Sequence, residues 1–185
     1  MLDHSVARQK DTIKAMAEVH DTQRINNVTI TVLALHTSLE IKSKKALIEV
    51  RFFDREHSPL PVKLKQELND NQSIKEYSIL SQIDKALPSA TYKVDCLNDN
   101  ELSAYFKYLF EGSIAVTMKT KNGKAVVGQG SLPAYPLLRQ GSEKVVTGFV
   151  VTMRDPADGV EVGKLHLMLK NSGKFVPAKT IRKAN

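Results

Sequence analysis

The feature that most limits how this chain can fold is a pair of glycine-anchored strand signals in its last third. The first runs Ala125-Val126-Val127-Gly128-Gln129-Gly130-Ser131-Leu132-Pro133, with Tyr135, Leu137 and Leu138 behind it. In the second, Val160 and Val162, then Leu165, Leu167 and Leu169, alternate with polar residues, and Gly163 breaks the register between the two sets. A period of two with one slipped residue is a half-buried strand carrying a bulge. Between these signals Val145, Val146, Phe149, Val150, Val151 and Met153 form a further strand-like run.

The same period governs most of the chain upstream. Val28, Ile30, Val32 and Leu33 to Leu35 predict a strand, with Asn27, Thr29 and Thr31 on its other face. Ala46 to Phe53 is nearly continuously apolar, as in a strand covered on both sides. A turn over Phe53 to Pro59 leads to a short strand, Leu60 to Leu64, placed at an edge because Pro61 cannot donate to a ladder. Lys65 to Gln82 is polar and reads as a long mobile insertion. Ser89 to Leu97 alternates again.

Asn98-Asp99-Asn100-Glu101 offers caps for a short amphipathic helix with Leu102, Phe106, Leu109 and Phe110, stopped by Gly112. Ser113 to Lys119 predicts a strand, and Lys121-Asn122-Gly123-Lys124 carries a hairpin signature. Seven or eight strands with one short helix and no βαβ alternation predict an all-β sandwich. The organisation expected is an N-terminal helix over 1–25, a sandwich over 26–173 and a basic tail over 174–185. Val6, Ile13, Met16 and Ala17 give that first helix a thin apolar stripe, fitting the end of a coiled coil or a solvated helix.

Chemistry-bearing patterns are missing from the sequence. It has no phosphate-binding glycine loop, no dinucleotide fingerprint and no His-Glu-x-x-His. Gly128-Gln129-Gly130-Ser131 does not match a nucleophile elbow. His4, His20, His36, His57 and His166 lack metal-ligand spacing, and the lone Cys96 falls on an apolar strand pattern as buried filler. The tyrosines are not interleaved with arginine as a nucleic-acid stacking platform requires. The expectation is a protein that is not an enzyme, uses no cofactor and binds no nucleic acid. The N-terminus lacks a basic-then-apolar leader, which points to the cytosol. A net charge of +7 suggests an acidic partner, with anionic lipid, an acidic protein surface such as a microtubule and nucleic acid as the candidates that charge alone admits.

The strand order, the two glycine anchors and the short helix before Ser113 resemble the C2 domain over roughly Asn26 to Lys170. The aromatic-aromatic-Asp step Arg51-Phe52-Phe53-Asp54 and the closing Gly163-Lys164-Leu165-His166-Leu167 resemble the diverged C2 domains of ciliary scaffolds, such as the retinitis pigmentosa GTPase regulator-interacting protein family. The resemblance implies a C2-like eight-stranded antiparallel β-sandwich with one short inserted helix. It also implies a test for calcium, which needs several converging oxygens. The loop His36 to Lys44 holds one Glu and no Asp, and Thr120 to Gly123 holds no carboxylate. Asp155 and Asp158 are expected at the opposite end of the sandwich.

The domain is therefore expected to work without calcium. Its leading role is a protein-interaction or scaffold module in a cytoskeletal, basal-body or ciliary assembly. The alternative is a peripheral binder of anionic phospholipid through Lys42, Lys44, Lys45, Lys119, Lys121 and Lys124.

Overall fold

In β1 (Ile25–Thr37) the side chains of Asn26, Val28, Ile30 and Val32 turn inward while Asn27 and Thr29 face outward. The computed structural model describes residues 24–37, 45–68, 75–79, 87–120, 122–139 and 144–173. The expected helix over 1–25, apart from its last two residues, and the tail over 174–185 lie outside these. Ile25 already belongs to β1, one residue ahead of the expected boundary.

The other strands are β2 (Lys45–Phe52), β3 (Arg55–Glu56), β4 (Leu60–Leu68), β5 (Lys75–Ile79), β6 (Ser89–Asp95), β7 (Ser113–Thr120), β8 (Val126–Pro133), β9 (Lys144–Arg154) and β10 (Glu161–Ser172). One helix, α1 (Asp99–Glu111), and a 3₁₀ turn at Tyr135–Leu137 complete the described elements. All of the strand pairings are antiparallel.

One layer holds β6-β1-β10-β9 and the other holds β8-β7-β2-β4, with β5 continuing from β4 and β3 curled onto β2. At each side the layers meet through a single residue pair, Gln129↔Arg154 between β8 and β9 and Thr37↔Tyr77 between β1 and β5. The ladder thus runs through eight strands in a nearly closed circuit, with β3 and β6 attached outside it. Inside, Ile30, Leu35, Ile48, Phe52, Ile114, Met118, Leu137 and Met153 are fully buried.

The first and last long strands, β1 and β10, pair with each other. Val32 faces Leu167, Ile30 faces Leu169 and Leu35 faces Leu165, all completely buried. Two bulges keep this register inward. One shifts β1 between Val32 and Ala34, turning Leu33 to solvent and returning Leu35 and Thr37 to the core. The other lies between Glu161 and Gly163 of β10. A Cβ on Gly163 would lie 2.5 Å from the His36 carbonyl oxygen, so only glycine lets the strands approach there.

Three expectations need correction. Lys65 to Gln82 is not wholly an insertion, because β4 extends to Leu68 and pairs Leu64↔Ile79 through Leu68↔Lys75 with β5. Pro61 is accommodated because this part of β4 pairs only with β2. In α1 the buried face is Leu102, Tyr105 and Leu109, whereas Phe110 is 60% exposed. The helix turns Tyr105 inward to meet Phe52 and Phe53, at ring distances of 6.4 and 5.2 Å. Its start follows expectation: Asn98 Oδ1 accepts from the Glu101 amide at 3.0 Å, and Glu101 accepts from the Leu97 amide at 2.6 Å.

The loop holding Asp155 and Asp158 is also misplaced in the sequence reading. β10 runs antiparallel to β1 with Gly163 opposite Thr37, and Thr120 pairs with Ala46. These pairings put the β9–β10 loop at the same end as the chain leaving β1 and the β7–β8 turn. Both carboxylates brace their own loop: Asp155 accepts from the Ala157 amide at 2.7 Å and Asp158 from the Val160 amide at 2.9 Å.

Candidate functional site

Lys45 and Lys124 are exposed, and Lys45 sits opposite exposed Lys63 across the β2–β4 ladder. Lys119 is not a loop residue; it projects from β7 and its Nζ meets Glu49 Oε2 at 2.7 Å. Lys42, Lys44 and Lys121 lie outside the described residues. The structure thus places Lys45 and Lys124 at one end of the domain and ties Lys119 into an ion pair on the sheet face.

That ion pair lines a cleft of about 460 Å³ on the outer face of β2 and β7. Its walls include Glu49, Arg51, Glu56, His57, Thr117 and Lys119. Strand alternation sends Glu49, Arg51, Thr117 and Lys119 outward, and the curl of β3 brings Glu56 and His57 over them. Arg51 pairs with Glu56, and His57 Nδ1 contacts the Ser58 carbonyl at 2.8 Å. The cleft therefore satisfies its own charges. No group of three or more His, Cys, Asp or Glu side chains converges for a metal among the described residues.

The second surface is the outer face of β1, β10 and β9. Register sets Thr29, Lys170 and Val146 in one row, Thr31, Met168 and Gly148 in the next, then Ala34, His166 and Val150, then His36, Lys164 and Thr152. Val146 and Val150 are 47% and 53% exposed, and Leu33 adds further apolar surface. His166 stacks edge-on with His36 at 5.3 Å. No carboxylate occupies these rows; Glu161 sits at the corner, 3.9 Å from Lys164. This face thus carries valine, methionine and threonine with Lys164 and Lys170 among them.

Interior polar groups do structural work. Asn171, fully buried on β10, donates to Asn26 Oδ1 at 3.0 Å and to the Leu137 carbonyl at 2.9 Å. Arg139, also buried, donates to the Ile25 carbonyl at 2.8 Å. Burial lowers its guanidinium below the ordinary range. Sequence reading missed this network, although Asn26 and Asn171 extend the inward alternation of their strands. Cys96 is buried as expected, and burial pushes its thiol up.

Tyr92 donates to the Val50 carbonyl at 2.6 Å, and burial, reinforced by Tyr108, pushes its hydroxyl up to about 12. Burial raises Tyr105 and Tyr108 as well. A raised folded-state value means the folded form holds its proton longer than the unfolded chain, so stability is full below the unfolded value near ~10 and lost above it. Melting temperature is expected to stay level from pH 7 to 9 and fall steeply between about pH 10 and 12. Phenolate absorbance should appear with unfolding. Tyr92→Phe should soften the fall, and a flat melting temperature through pH 12 would contradict this account.

No protein-family model matches the chain, and no curated protein matches it. Solved structures similar to it include a C2 domain of plant Extended Synaptotagmin 1, at 9% identity and a TM-score of 0.46 over 80% of this chain and 95% of that one. Another is CC2D1B, at 14% identity and a TM-score of 0.45 over 84% of this chain. This chain spans 58% of that CC2D1B chain.

Proposed function

We propose that the chain is a non-catalytic, calcium-independent C2-type module that docks a protein partner on the outer face of β1, β10 and β9. The observation that carries this reading is the exposed Val146–Val150–Leu33 surface beside Lys164 and Lys170. Apolar area of this kind, rimmed by one sign of charge, favours a protein surface of opposite charge. The sequence resemblance suggests a scaffold in a cytoskeletal or ciliary assembly, at the basal body or cilium.

A second reading is peripheral binding to anionic membranes, favoured by Lys45 standing opposite Lys63, with Lys124 also exposed. Each lysine near an anionic bilayer contributes about 1 kcal/mol, weakened by salt. Lys42, Lys44 and Lys121 belong to this proposal too, whereas Lys119 is held by Glu49 on the sheet face.

Proximity labelling in cells, followed by capture with the purified protein in calcium and in chelator, tests the main reading. The expected result is a structural protein partner, recovered equally in both buffers. Recovery that requires calcium would remove calcium independence. Salt-sensitive co-sedimentation with phosphatidylserine vesicles, lost in Lys45→Ala/Lys124→Ala and without any protein partner, would transfer the assignment to the membrane reading.

A further inference from the structure

β9 pairs with β10 along its whole length, from Lys144↔Ser172 to Arg154↔Glu161. On its other side it pairs with β8 only at Gln129↔Arg154. The direction of its backbone groups follows from one close approach. A Cβ on Gly130 of β8 would lie 2.8 Å from the Thr152 carbonyl oxygen, so that carbonyl points away from β10. Backbone groups alternate sides along an antiparallel strand. The N–H and C=O of Val150, Gly148 and Val146 therefore point to the same open side. No strand pairs with them there among the described residues. From Lys144 to Val150 no residue is buried.

Exposed edges are normally blunted by charge, proline or a bulge. Between Lys144 and Arg154 the sequence Val-Val-Thr-Gly-Phe-Val-Val-Thr-Met has no charge and no proline. The β9–β10 register is continuous from Gly163 to Ser172.

We propose that the open edge of β9 accepts an extended, acidic segment of a partner protein as an added antiparallel strand. The inference rests on the interaction-module reading and states how the partner is held. Backbone bonds to Val146, Gly148 and Val150 supply the hold, and the exposed Val146 and Val150 side chains select β-branched residues. Lys144 and Arg154 at the ends, with Lys164 and Lys170 on β10, select acidic flanks. A second copy is a poorer occupant: pairing β9 with itself about Phe149 sets Lys144 opposite the copy's Arg154, and opposed like charges destabilise a ladder. Lipid is poorer still, because hydrocarbon leaves backbone donors and acceptors unsatisfied.

The test uses a capped synthetic peptide, Glu-Val-Thr-Val-Thr-Val-Glu, added to the full chain while amide hydrogen exchange is followed by residue. Val146, Gly148 and Val150 should gain at least about tenfold protection, while Val145, Thr147 and Phe149, already turned toward β10, should change little. The same peptide methylated on alternate backbone nitrogens should give none, and a version with lysine flanks should bind at least about tenfold more weakly.

Equal binding by the methylated peptide, or no protection of these three amides, overturns strand addition. Protection that grows with protein concentration alone points to a second copy, and protection by phosphatidylserine vesicles points to lipid; either overturns the proposal. A Val146→Pro variant separates the two levels of the account. If it melts like wild type and still captures the cellular partner, the interaction module stands and strand addition falls.

Discussion

Leu167→Ala is expected to lower stability by about 2–5 kcal/mol, a large share of the ~5–15 kcal/mol that holds a domain of this size together. Leu167 is fully buried on β10 opposite Val32, between Leu165 and Leu169 on the same inward face. Removing its side chain costs the transfer energy of the lost methylenes and leaves a void where two central strands meet. His166→Ala should change stability by less than about 1 kcal/mol, because its ring lies on the outer face against His36. Urea unfolding of both variants checks the pair. A wild-type midpoint for Leu167→Ala with collapse of His166→Ala would mean that β10 is off by one residue and its faces are inverted.

Asn171→Ala should be nearly as damaging, by about 2–4 kcal/mol. Its amide reaches both Asn26 Oδ1 and the Leu137 carbonyl, and the residue has no exposure to water. Truncation takes a donor from two buried acceptors at once and loosens the 3₁₀ turn from β10. Asn27→Ala is the control. That side chain donates to the Ser172 carbonyl at 3.3 Å from a part-buried position, where water can replace it, so the loss should stay below about 1 kcal/mol. Thermal melting distinguishes them, and equal shifts would contradict a structural role for the buried amide.

The inward faces of β1 and β10 were legible because a period of two survives on both sides of each bulge. Glycine at 163 marked one bulge, whereas nothing polar or flexible at Leu33 marked the other. The run from Val145 to Met153 reads as a strand, but its apolar residues do not alternate strictly enough to assign its faces. Val146 and Val150 prove to face outward and are exposed. Hydrophobic pattern reports which residues can be buried, and here part of the apolar set is left for contact. Tyr105 takes the buried place expected of Phe110 because Phe52 and Phe53, distant in sequence, pack against its ring. Lys119 could not be recognised as Glu49's partner from spacing, since the pair forms only when β2 and β7 align.

The most direct measurement of the account's central claim compares partner capture by Val150→Glu with capture by Lys45→Ala/Lys124→Ala, each checked for wild-type melting. Val150 is on the exposed face of β9, and the two lysines are at the loop end. Val150→Glu places a carboxylate among Lys-rimmed apolar residues and should reduce partner recovery by at least about tenfold, while the lysine variant recovers the partner normally. Unchanged recovery with Val150→Glu, combined with loss in the lysine variant, would contradict docking on the β1–β10–β9 face and move the binding surface to the loops.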